Sequence, residues 1–85
     1  TIAKRVSIRI SDIEASPNLA VLLQLPAANC HPLVGNRKGD WAVDLSGNFR
    51  LIFQIAHNPI PTKADGSIDA SSVTKICIIQ VEDYH

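Results

Sequence analysis

The chain ends in Glu82-Asp83-Tyr84-His85, two carboxylates, a phenol and an imidazole at the close of a mostly apolar run. An imidazole gains or loses a proton near neutrality, so a His set among acids and a phenol has the make-up of a general acid–base site. The preceding run, Val73-Thr74-Lys75-Ile76-Cys77-Ile78-Ile79-Gln80-Val81, is β-branched enough to be a buried strand. A strand aims whatever sits at its exit, which makes the tetrad a candidate site rather than a frayed end. Three further features carry charge or titratable groups: His31 before Pro32, the pair Arg37-Lys38 between Gly35 and Gly39, and Arg50 inside Phe49–Ile55.

These residues need elements to position them. Ile2, Val6, Ile10 and Ile13 recur at helical spacing, which predicts an amphipathic helix from Ile2 to Ser16, with Lys4, Arg5, Arg9, Asp12 and Glu14 largely off the apolar face. Val6, Ile8 and Ile10 also alternate as in a strand, but the pattern outlasts a usual strand. Ser16-Pro17 then reads as a cap with proline at the first helical position, opening a short helix over Leu19 to Leu23 that Leu25-Pro26 closes. Residues 26–40 are turn-rich, with a tight basic loop around Arg37-Lys38.

Trp41, Val43 and Leu45 alternate as a half-buried strand, Ser46-Gly47-Asn48 makes a hairpin turn, and Phe49 to Ile55 returns. Phe49, Leu51 and Phe53 are expected to share Trp41's core face, leaving Arg50, Ile52 and Gln54 on the other. Residues 56–72 form a long loop, read as a plain connector between antiparallel strands, with His57 part of it. Cys77 is expected to be a small buried hydrophobe. Regular alternation puts Asp83 and His85 on one side of the last strand and Tyr84 on the other.

At 85 residues the chain is expected to form a single domain over 1–85. Eight Lys and Arg balance eight Asp and Glu. That neutrality counts against a general polyanion binder, while leaving room for a one-sided patch of Arg37, Lys38 and Arg50. Cys30 and Cys77 have neither zinc nor redox-motif spacing, so neither a zinc site nor a redox motif is indicated; a disulfide between them stays open. No stretch reaches the ~18 apolar residues of a membrane span and no signal segment opens the chain, so a cytoplasmic location is expected. The first residue is Thr1 rather than Met.

Set in order, His31-Pro32-Leu33, Gly35-Asn36-Arg37-Lys38-Gly39, Trp41, Gly47-Asn48-Phe49-Arg50-Leu51-Ile52-Phe53 and Glu82-Asp83-Tyr84-His85 make a chain that resembles a HigB-type toxin of the RelE/ParE superfamily. The resemblance implies an α+β, RelE/ParE-like fold: N-terminal helices packed on a small, twisted, mainly antiparallel β-sheet whose open face carries an RNA site. It further implies a metal-free, cofactor-free endoribonuclease, an mRNA interferase that cuts mRNA on the ribosome and inhibits translation. Its partners would be the ribosome, mRNA and a cognate antitoxin of the DNA-binding HigA-like kind.

Within that chemistry His85 and His31 are the candidate acid and base, in either order. Arg50 is the group for the charged phosphorane, and Tyr84 stacks on a base or donates a proton. Asp83 completes the catalytic set, and Arg37 and Lys38 are expected to bind RNA. Three departures stand out: Val34 replaces a residue that is often basic, the 56–72 loop is long, and part of the usual N-terminal region is expected to be missing. They leave room for a toxin-fold module that binds antitoxin or RNA without cutting. The superfamily's gyrase-inhibiting branch fits the terminal Asp-Tyr-His less well.

Overall fold

A computed structural model of the chain describes residues 1–83. Two helices, α1 (Ile2–Ala15) and α2 (Leu19–Leu23), precede the strands β1 (His31–Pro32), β2 (Asp40–Ser46), β3 (Phe49–Ile55) and β4 (Ile76–Asp83). The strands form one antiparallel sheet in the order β1-β2-β3-β4, giving an α+β architecture with α1 packed on β2.

The helix face and the Trp41 face meet as their periodicities require. Val43, Leu51 and Phe53 are essentially inaccessible, Trp41 stacks on Phe53, and Val6, Ile10 and Ile13 of α1 pack on this core. Burying side chains of this size is the main source of the fold's stability. Arg9 departs from the expected polar face of α1. It is buried, with Nε donating to the Asp44 carbonyl at 2.7 Å and Nη1 to Asp12 Oδ2 at 2.8 Å, so a guanidinium pins the helix to β2. Arginine suits this role because its planar fork satisfies a carbonyl and a carboxylate together.

The cap assignments differ from the sequence reading. Asn18, not Ser16, caps α2, its Oδ1 accepting from the Val21 amide at 3.0 Å. Ser16 closes α1 instead, its hydroxyl donating to the Asp12 carbonyl. Within the turn-rich stretch, His31–Pro32 pairs with Ala42 and Trp41 as an edge strand, and Gly35–Arg37 forms a 3-10 turn. The long connector does join antiparallel strands, and it is held by local bonds: a Thr62–Ile68 bridge, Asp69 accepting from two serine hydroxyls, and His57 Nε2 accepting from the Thr74 and Lys75 amides.

The last strand departs most from expectation. It begins at Ile76 rather than Val73, and Val73 reaches the core from the preceding segment. It is a sheet edge rather than a buried strand, with Ile78, Ile79 and Val81 exposed and Cys77 exposed as well. α1 lies over β2, and an outer strand has a partner on one side only. Cys30 is the buried cysteine, and both thiols are free. Phe49, assigned to the core face, lies outside the core cluster and is exposed. Among the described residues no helix is long and apolar enough to cross a membrane.

Candidate functional site

Away from the helices, the other face of the sheet is organised in rows by strand register. Asp40, Gln54 and Cys77 form one row, His31, Ala42, Ile52 and Gln80 the next, and Asp44, Arg50 and Glu82 a third. Arg50 meets Glu82 across the β3–β4 pair, with Nε donating to Oε2 at 2.7 Å and Nη2 in ion-pair contact with the same oxygen at 2.6 Å. Arg37, from the 3-10 turn, donates through Nη1 to the other oxygen, Oε1, at 2.8 Å. Its Nε reaches Asp40 Oδ2 at 3.4 Å, and Gln54 Nε2 donates to Asp40 Oδ1 at 2.8 Å.

The outer rows are four residues apart, about 13 Å along a strand. One guanidinium touches acids from both, so these side chains lean over the row between them. That explains Ile52 and Ala42, which lie on the face opposite the core and are nevertheless fully buried. Sequence alternation assigns Ile52's face correctly and misses its burial, because the cover comes from the Arg37 turn.

A β-bulge decides which acid meets Arg50. Ile52 pairs with Gln80 and Phe53 with Ile78, leaving Ile79 as an extra residue in β4. One extra residue reverses the facing of everything beyond it. Ile76 and Ile78 therefore stay on the helix side while Gln80 and Glu82 turn to the open face. Without the bulge Glu82 would share the side of Ile78.

The electrostatics follow from these bonds. Arg50 first, and then Arg37, hold the Glu82 carboxyl below the usual carboxylate range. Asp40 is lowered by the Gln54 hydrogen bond and by Arg37, while the Glu82 contact raises the Arg37 guanidinium. The four charged side chains of the network are 15–32% exposed, which leaves them reachable from solvent.

His31 lies in the central row, on the same face as this network. Its Nδ1 is 2.7 Å from the Asn29 carbonyl. A carbonyl only accepts, so this contact puts the proton on Nδ1 and leaves Nε2 of the neutral ring as a potential base. The fold thus brings His31, Arg37 and Arg50 to one face. Lys38 is not in the ionic network; it lines an apolar cavity of about 400 Å³ with Val34, Trp41, Ile60 and Ile68, between the basic loop and the long connector. Asp83 pairs with Phe49, so alternation places it on the side away from Arg50. The assignments of Tyr84 and His85 fall outside the described residues.

Asp40 and Gln54 are site residues that the sequence reading passes over, and Glu82, part of the terminal tetrad, was given no role of its own. Their signal was an arginine in mid-strand, which needs an acid across the sheet. No protein-family model matches the chain, and no curated protein matches it.

Proposed function

We propose that the chain is the toxin of a type II toxin–antitoxin pair, a RelE/ParE-like endoribonuclease of the HigB type that cuts ribosome-bound mRNA in the cytoplasm. The observation that carries this reading is the convergence of Arg37 and Arg50 on one anion, on the sheet face that also holds His31. Two guanidiniums around one anion suit the non-bridging oxygens of a phosphodiester. In this reading Arg50 and Arg37 stabilise the phosphorane, His31 and His85 share the proton transfers to and from the ribose oxygens, and Tyr84 supports the substrate, while Asp83, on the other side of β4, takes no part at the phosphate. An antitoxin of the HigA-like kind holds the toxin inactive.

Mapping mRNA 5′ ends after brief induction tests it: sharp, translation-dependent new ends are expected. Arg50→Ala is expected to lower cleavage by about 10²–10³, the usual cost of removing one transition-state contact. Equal cleavage by Arg50→Ala would sink the site.

A second reading, a non-cleaving module that binds antitoxin or RNA, draws on Glu82 pairing with both arginines and on Val34, which is 81% exposed and brings no charge. Intact mRNA alongside retained antitoxin binding would favour it. Inhibited supercoiling would favour the gyrase branch.

A further inference from the structure

The Glu82 carboxylate sits in an unusual position for a surface acid. Arg50 donates through Nε to one of its oxygens, with Nη2 in ion-pair contact with that oxygen, and Arg37 donates to the other. A phosphodiester offers the same pair of charged oxygens to a fork of donors, so the carboxylate occupies the place a phosphate would take. The strand gives up regular alternation at Ile79 to put the acid there, and bulges that re-aim a side chain recur beside functional sites. Stability accounts poorly for the arrangement, because partly exposed ion pairs contribute little.

We infer that the space between Arg37 and Arg50 is a phosphodiester cradle and that Glu82 is its resident competitor, a specificity-determining carboxylate that substrate RNA must displace. The inference rests on the RNA-directed reading above and adds a control on it. RNA free in solution meets arginines already paired with Glu82 and Asp40, and binds weakly. A phosphate delivered and held at the face, at high effective concentration, displaces the carboxylate. Both arginines stay charged and oriented by Glu82 until that exchange. Acidification does not substitute for it near neutrality, since the same contacts keep the carboxyl ionised.

The test is binding of a short single-stranded RNA carrying 2′-O-methyl groups, which has no nucleophile and stays uncut, measured by fluorescence anisotropy across a salt series. Glu82→Gln is expected to bind about 10-fold more tightly. Its log–log salt slope should steepen by roughly 0.7–1.4, the value of one or two added phosphate contacts. Glu82→Asp, which keeps the charge, should stay near the unaltered chain, and adding Arg37→Ala to Glu82→Gln should erase the gain. A folded Glu82→Gln protein with unchanged or weaker binding overturns the inference.

A second measurement needs no variant: the Glu82 carboxyl carbon resonance must shift when the RNA is added, and a static resonance in the bound state overturns the inference equally. Because the RNA cannot be cut, absence of cleavage in cells counts against the enzyme reading alone. Normal cleavage with no gain in Glu82→Gln counts against the competitor alone.

Discussion

The two faces of the sheet bury their centres equally well by opposite means. Under the helices, Val43, Leu51 and Phe53 are sealed by hydrocarbon and by the Trp41 ring. On the other face Ala42 and Ile52 are just as inaccessible, beneath side chains that Arg37, Asp40, Glu82 and Arg50 hold together by charge. A hydrocarbon seal is close-packed and cannot open without leaving a void. An ionic cover that water can reach exchanges partners readily. The first face therefore fixes the fold, and the second is the one able to trade a carboxylate for a ligand.

Truncation separates the two kinds of burial most sharply. Phe53→Ala should destabilise the domain by about 3–5 kcal/mol in chemical denaturation, whereas Ile52→Ala should cost nearer ~2 kcal/mol because long ionic side chains can settle into the space. Equal costs would mean that the cover is as rigid as the core.

Acid should act on the open face next. Glu82 and Asp40 have lowered pKa values in the folded chain, so the unfolded chain binds more protons as pH falls into the carboxylate range. Their stabilisation is complete above the ordinary carboxylate pKa and is lost as pH falls through the lowered values. Asp65 and Asp69, lowered by serine hydrogen bonds, add to the slope. Glu82→Gln should flatten it in urea titrations at several pH values, and Phe53→Ala should leave it unchanged.

Thiol chemistry is the smallest and cleanest contrast. Burial pushes Cys30 up to about 12, while Cys77 lies exposed on the sheet edge. Iodoacetamide at mildly alkaline pH should label Cys77 alone in the folded protein, and Cys30 only after denaturation, as read by intact mass. Labelling of Cys30 in the native state would show that its side of the core opens.

Several readings were local enough to come directly from residue order. The α1 period, the Ser46-Gly47-Asn48 turn and the β2–β3 alternation each depend on neighbours a few positions apart, and each element formed where expected. The misreadings involve partners distant in sequence. Arg9 is buried because Asp44 supplies a carbonyl 35 residues away. Cys77 is exposed because β4 is the outermost strand, and apolar composition does not distinguish a central strand from an edge.

For the candidate site the division is similar. His31, Arg37 and Arg50 were legible as chemistry-bearing residue types, while their meeting on one face was not. The sequence by itself determined the helices' apolar stripe, the hairpin and the residues able to carry charge and protons, since propensity and periodicity are local properties. Tertiary structure alone decided that one extra residue at Ile79 turns Glu82 toward Arg50 and Asp83 away, and that the Arg37 turn folds back across two strands to meet it. A strand's facing reverses with a single residue, and that reversal is set by pairing with β3.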